Sequence, residues 1–377
     1  MAKIIQVTTF FHPVHGGVEQ QVLELSEELI KQGHNVEVIC SDSTRSKERI
    51  SKKAEEYKGI KITRCKTWFG TSQFYKFFPA LFIELMKRDF DVIHVHGFRK
   101  FEVYFSLLAA KLKRRKVVVT THNPFVTTTR NKFLQLWVNI HDITFGKLFS
   151  RFIDKIICLT RQEIPYIEKF GVNQEKISVI PNGVSKDISK KGDKQKFADK
   201  YEIPVGNFEN TVVWIGRVHY VKGLENLQTA ISQLKNTLFL FIGPDDTGAK
   251  EIKDLYKGKK NVMFLGAIDH AEVPSALCTS DVFVFPSLHE AFGLTIVEAM
   301  AQGVPVISTN KGGPGEIVKE TFGITQDPLD QWAWMLNLKK LLNDKKLRQV
   351  MGNTGKEEAK KYLWENVVEQ ILESYEL

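Results

Sequence analysis

The 377 residues are 43% hydrophobic, 11% aromatic and 26% charged, a balance that excludes a disordered, collagenous or fibrous chain. At about 100 to 200 residues per domain, the length predicts two or three globular domains. Lysine and arginine outnumber aspartate and glutamate by 53 to 44, and the surplus is uneven: Met1 to Gly183 holds 29 basic and 18 acidic residues, the remainder 24 and 26.

The first seven residues, Met1 to Val7, contain neither a long apolar run nor a small-residue cleavage site and read as a strand. Short β-branched runs then alternate with helix-length segments, predicting strands at 3–9, 35–40, 60–64, 92–96, 116–121, 155–159 and 177–180. Between Gly17 and Gly33, apolar Val18, Val22, Leu25 and Leu29 recur at spacings of three and four, so one helix face is buried and Gly33 serves as its C-cap. Lys111-Leu112-Lys113-Arg114-Arg115-Lys116 reads as a solvated helix end in preference to an anion site.

Pro181-Asn182-Gly183 and the polar, lysine-rich stretch after it mark the domain boundary. A second series follows, with strands predicted at 211–215, 238–242, 262–265, 282–285 and 304–308, before a mostly helical tail from 328. The expected organisation is α/β: one Rossmann-like domain over 1–184, a second over 185–360, and a C-terminal helix over 361–377 that packs back on the first. Two doubly wound parallel sheets predict a cleft, with ligands at the carboxyl ends of strands. No apolar run approaches the roughly 20 residues that span a bilayer. Four scattered cysteines, without a Cys-x-x-Cys pair, fit a reducing cytoplasm.

Several strand-to-helix junctions carry chemistry. At His15-Gly16-Gly17-Val18-Glu19, paired glycines let backbone N–H groups approach an anion at a helix N-terminus, or simply make a tight turn. Arg217 and Lys222 share the loop Gly216-Arg217-Val218-His219-Tyr220-Val221-Lys222-Gly223, where two cations can clamp a diphosphate, solvated loop charges being the competing reading. Glu290 and Glu298 lie eight residues apart in Glu290-Ala291-Phe292-Gly293-Leu294-Thr295-Ile296-Val297-Glu298. A continuous helix would separate them by about 12 Å, beyond the roughly 5 to 9.5 Å of a hydrolytic pair. Glu290 is therefore expected in a loop and Glu298 in a helix, with the amides of Phe292, Gly293 and Leu294 between them facing phosphate oxygens. Lys311-Gly312-Gly313-Pro314-Gly315 forms a similar junction. His94, His96 and His122 fall at strand ends and are expected to face the cleft, without the acidic neighbours of a metal site. Asp245 and Asp246 read as caps of a helix over 247–256.

In this order the motifs resemble glycosyltransferase family 4, also described as glycosyl transferases group 1, retaining enzymes of the GT-B fold. The resemblance spans nearly the whole chain, through Gly16-Gly17-Val18-Glu19, Thr121-His122, Pro181-Asn182-Gly183-Val184, Gly216-Arg217 with Lys222-Gly223, and Glu290 through Glu298. It implies transfer of a hexose from a UDP- or GDP-linked sugar to an acceptor hydroxyl. Arg217 and Lys222 would neutralise the donor diphosphate, and Gly16 and Gly17 would add backbone amides. Glu290 would sit near the transferred sugar with Phe292, Gly293 and Leu294, Glu298 would bind the ribose, and His122 would touch sugar hydroxyls. No metal, cofactor or nucleic-acid partner is implied.

The acceptor is sought in the basic front half. Trp68, Phe74 and Tyr75 interleave with Arg64, Lys66 and Lys76, a candidate site for a sugar or lipid-linked acceptor on an anionic membrane, with the protein peripheral on the inner membrane face. Helix packing on the sheet is the competing reading of these aromatics. A nucleotide-sugar epimerase and a non-catalytic basic module for membrane or nucleic acid are the alternative functions.

Overall fold

The computed structural model describes residues 1–14, 16–45, 48–70, 76–122 and 139–376. The chain forms two compact units, Met1–Gly183 together with Trp364–Leu377, and Val184–Leu363. The passage between them falls at Gly183/Val184, one residue before the expected 184/185. The closing helix starts at Trp364 rather than 361, because Lys360–Tyr362 is a 3₁₀ turn of the second unit.

The first unit is built on β1 (Lys3–Thr8), β2 (Asn35–Ser41), β3 (Ala54–Tyr57), β4 (Ile60–Cys65), β5 (Val92–His96), β6 (Lys116–Thr120), β7 (Lys155–Cys158) and β8 (Ile177–Val179). They lie in the order β3-β4-β2-β1-β5-β6-β7-β8. β3 runs antiparallel to β4 and is absent from the predicted set, because Ala-Glu-Glu-Tyr lacks an apolar alternation. It is made by a two-residue hairpin in which Lys58 and Gly59 both take positive φ, 51° and 78°, the geometry of a tight primed turn. The other strands pair in parallel and match the predicted bounds to within one residue.

Alternate side chains of this sheet feed two cores. Ile5, Val7, Ile93, Val95, Val117 and Val119 pack against helices Ala80–Lys87 and Phe101–Lys113. Ile4, Val36, Val92 and Val118 pack with Leu25 and Leu29 of helix Gly17–Lys31 and with Trp364, Val367, Val368 and Ile371 of helix Trp364–Tyr375. Trp364 Nε1 donates to Glu24 Oε2 at 2.7 Å, and its ring lies so close to Gly183 that an added Cβ would meet it at 2.3 Å. Gly33, at φ 87°, follows the end of the first helix.

The second unit is an all-parallel sheet of β9 (Asn210–Ile215), β10 (Thr237–Ile242), β11 (Val262–Gly266), β12 (Val282–Phe285), β13 (Val306–Thr309) and β14 (Gly323–Gln326), ordered β11-β10-β9-β12-β13-β14. β14, a four-residue edge strand, lies outside the predicted set. Val212, Trp214, Phe239, Phe241, Val284 and Ile307 form its core with Leu224, Leu227, Trp334 and Leu338.

The expectation that His94 and His96 face an open cleft is corrected. Both are buried on β5, 0% and 2% exposed, because the last helix lays Tyr375 against them: its hydroxyl sits 2.8 Å from His94 Nδ1. Burial pushes His94 down to about 3 and holds His96 well below its ordinary value of 6.5. Below that ordinary value an unfolded chain takes up protons that the folded one refuses. Stability from these groups is therefore complete above about pH 6.5 and is lost as pH falls toward about 3. We expect the first unit to weaken by about 1.4 kcal/mol per pH unit for each such histidine on acidification below 6.5. Urea unfolding at pH 7 and pH 5, followed by Trp364 fluorescence, checks this; equal stability at the two pH values would count against it.

Candidate functional site

In the second unit the chain leaves β9 for β10 and β11 on one side, then crosses back to β12 on the other. Strand order thus reverses between β9 and β12, and the carboxyl ends of strands at such a reversal are where ligands of open α/β sheets bind. The loops that leave these two strands carry the candidate residues. Lys222 follows β9, Glu290 follows β12, and their side chains form an ion pair across the reversal. Lys222 Nζ also lies 5.8 Å from the Phe285 ring centroid.

Backbone contacts hold these loops together. Leu288 N–H donates to Val221 O at 2.8 Å, and Gly313 N–H donates to Glu290 O at 3.1 Å. Gly223 takes φ 67°, and an added Cβ would lie 2.1 Å from Pro286 O. Only glycine permits that approach of the two loops.

Arg217 points to a different carboxylate. Its guanidinium pairs with Asp246, on the loop after β10. That loop is stitched to the first by Val218 N–H to Pro244 O at 2.9 Å and Asp246 N–H to Val218 O at 3.0 Å. At Gly243, φ 141°, a Cβ would fall 1.7 Å from Gly216 O, so the two glycines set this close crossing. Burial raises the Asp246 carboxyl, but the Thr247 amide and then Arg217 outweigh it and hold Asp246 below its ordinary value. This corrects the expected capping role. The helix here is Ala249–Leu255 with Gly248 at its N-cap, Asp246 serves Arg217, and Asp245 pairs with Lys253.

Glu290 lies in the loop and Glu298 inside helix Leu294–Ala301, whose N-cap is Gly293 at φ 92°. Phe292 is buried with its ring 5.8 Å from Tyr362. Glu298 is buried and accepts a hydrogen bond from His270 Nε2 at 3.0 Å. Sequence reading missed Asp246 and His270. Both could have been found by the rule that pointed to Arg217, since Asp246 follows the carboxyl end of β10 and His270 that of β11.

In the first unit, Gly16 and Gly17 open helix Gly17–Lys31, and His15 lies outside the described residues. A Cβ on Gly16 would stand 2.3 Å from Glu19 Oε2 and 2.6 Å from Arg45 Nη2. Arg45, which the sequence did not single out, pairs with Glu19 at 2.7 Å and places a guanidinium beside this helix start. His122 follows β6 with φ 44°, and its Nε2 lies 3.0 Å from His96 Nδ1. A cavity of about 20 Å³ beside these rings is lined by Gln21, Thr120, His122 and Asn182, room for about one water. No cluster of three His, Cys, Asp or Glu residues suited to a metal is found among the described residues.

The proposed acceptor stretch is corrected in part. Arg64 is buried, its guanidinium held by Glu55 and by the Lys52 carbonyl at 3.1 Å, because a β4 side chain on this face needs an internal counter-charge. Lys76 is buried too and donates to Gly70 O at 3.2 Å. Lys66 and Trp68 are exposed, and Phe74 and Tyr75 lie outside the described residues.

Comparison with known proteins covers both units. Residues 15–187 match the family model Glycosyltransferase Family 4, and residues 194–358 match Glycosyl transferases group 1. The chain is 25% identical to the phosphatidylinositol N-acetylglucosaminyltransferase gpi3 subunit of Schizosaccharomyces pombe, over 98% of this chain and 79% of that one. It is 26% identical to an uncharacterized glycosyltransferase of Methanocaldococcus jannaschii, over 100% and 98%. Among solved structures it shares its fold with Anabaena HepE in complex with UDP, at TM-score 0.80, 19% identity and 99% of both chains. Sucrose-phosphate synthase from Thermosynechococcus elongatus aligns at TM-score 0.79 and 21% identity, over 100% and 98%. With both sheets matched and family models covering the two halves in order, the chain belongs to the family 4, group 1 glycosyltransferases and has their GT-B fold.

Proposed function

We propose that the protein moves a hexose from a nucleoside-diphosphate sugar, UDP- or GDP-linked, to an acceptor hydroxyl with retention and without a metal ion. The observation that carries this reading is the Lys222–Glu290 pair at the strand-order reversal, with Arg217–Asp246 on the adjoining loops. In the unliganded protein each cation is neutralised by a carboxylate. A donor diphosphate takes over that role, leaving Glu290 near the sugar and Glu298 for the ribose. As the anomeric C–O bond breaks, negative charge grows on the leaving phosphate and the two cations stabilise it more than in the ground state. The acceptor oxygen bonds to the same face of the anomeric carbon, and its proton passes to the departing phosphate oxygen. No protein nucleophile is used. The UDP bound by the Anabaena structure supports a nucleotide donor.

For the acceptor, the name of the fission-yeast relative supports a lipid. One group of exposed apolar side chains in the first unit lies on helix Phe101–Lys113 and on residues 140–152. Leu108, Leu112, Ile140, Ile143, Leu148 and Phe152 are all exposed, Ile143 by 67%. The two segments are joined, since the Tyr104 and Phe149 rings lie 4.6 Å apart and Lys111 Nζ sits 5.5 Å from the Phe152 ring. Exposed Lys111, Arg114, Lys147 and Arg151 surround this surface. Apolar side chains ringed by cations complement an anionic lipid surface. No helix among the described residues is long and apolar enough to cross a membrane.

Arg217→Ala and Lys222→Ala are each expected to lower kcat about 100- to 1,000-fold, the loss typical of one preorganised charge-stabilising group. Transfer assays with UDP- and GDP-sugars, beside circular dichroism for fold, read this; near-normal turnover by both variants would overturn the site. Separately, the protein should cosediment with phosphatidylglycerol vesicles at low salt and not with phosphatidylcholine alone. Lys111→Glu with Lys147→Glu should weaken that binding by roughly 30-fold, from about 1 kcal/mol per cation. Absence of binding to the anionic vesicles removes the lipid surface from the proposal.

A further inference from the structure

We propose that Gln6 and His96 are positioning residues that fix which nitrogen of His122 carries its proton, leaving Nδ1 of His122 as a bare acceptor for a ligand hydroxyl. The inference rests on the reading above, that His122 touches sugar hydroxyls, and adds the polarity of that contact.

The argument follows the hydrogen bonds inward from β1. Gln6 is fully buried and places its Oε1 2.5 Å from His96 Nε2. An amide oxygen only accepts, so His96 carries its proton on Nε2, and in the neutral ring Nδ1 is then a lone pair. That lone pair lies 3.0 Å from His122 Nε2, which must donate to it. Burial foremost, with Lys100 nearby, keeps His122 neutral. Its Nδ1 therefore bears no proton, and no partner for Nδ1 is found among the described residues.

A second set of bonds accommodates this orientation of Gln6. Its Nε2 lies 3.4 Å from the Tyr375 hydroxyl, which can then donate to His94 Nδ1 at 2.8 Å, leaving His94 Nε2 to donate to Thr120 Oγ1 at 2.7 Å. Turning the Gln6 amide over would reverse every proton in the chain and present an N–H at His122 Nδ1. The backbone supports the placement independently. His122 sits at φ 44°, a left-handed conformation that costs a non-glycine residue about 1 to 3 kcal/mol. Packing holds it there, with the ring against His96 at a centroid distance of 5.3 Å. A bare imidazole nitrogen accepts from a hydroxyl and repels a group that can only accept, so this residue would select for O–H at its contact point.

The test uses the full chain labelled with ¹⁵N-histidine. Ring nitrogen–proton correlation spectra distinguish the two neutral tautomers, and the His122 signals are assigned by their loss in His122→Asn. We expect the Nε2–H form of both His96 and His122 in the wild type; an Nδ1–H tautomer at His122 overturns the proposal. Gln6→Glu keeps an acceptor toward His96 and should keep the tautomer. Gln6→Met should lose it and lower kcat/KM about 10- to 100-fold, as when the orienting partner of a ligating histidine is removed. Stabilisation by a nucleoside diphosphate alone should be unchanged in that variant. Switched tautomers with untouched transfer would refute the ligand contact and leave the hydrogen-bond assignment standing.

Discussion

The second unit depends on how charge is compensated where its strand order reverses. Two cations stand at the carboxyl ends of a parallel sheet, and each would be costly to leave unpaired in a partly desolvated setting. The protein supplies its own counter-ions, Glu290 for Lys222 and Asp246 for Arg217. Those pairs hold both side chains ordered at their loops. The glycines at 223 and 243 serve the same end, since the loops carrying the charges approach more closely than a Cβ would allow.

Much of this was legible in the sequence, for a physical reason. Parallel strands buried on both faces are near-continuous β-branched runs, and the strands of the first sheet accordingly begin and end within one residue of where those runs do. The exceptions are informative. β3 carries two glutamates and β14 opens on glycine, and short edge strands need neither apolar alternation nor length. The loop position of Glu290 and the helical position of Glu298 followed from spacing alone. The partner of Arg217 did not, because an ion pair between two loops depends on how β9 and β10 align. Nor did the burial of His94, which is covered by a tyrosine 281 positions later.

The first unit shows the same limit with opposite sign. Arg64 and Lys76 belong to a basic, aromatic stretch that reads as a surface, yet both cations are turned inward. Trp68 and Phe69 of that stretch are exposed, and further exposed apolar residues lie on helix Phe101–Lys113 and the segment after 139. Within the stretch, Lys66 is displayed to solvent while Arg64 and Lys76 are not, a difference that composition does not carry. Direction of a side chain is a tertiary property, set here by the antiparallel β3–β4 hairpin that gives Arg64 its carboxylate.

The last helix closes a core whose other walls were made from the beginning of the chain. Between Gly183 and Trp364 lies the whole of the second unit, so that unit is topologically an insertion within the first. On a ribosome, this face of the early strands has only helix Gly17–Lys31 to cover it until residues 364–375 follow, whereas the inserted unit has all its own residues in hand sooner. Synthesis thus delivers the inserted unit before its N-terminal companion can bury Ile4, Leu29 and Val118 under Val368 and Ile371. Loss of helix Trp364–Tyr375 removes few residues and uncovers part of the first-made half.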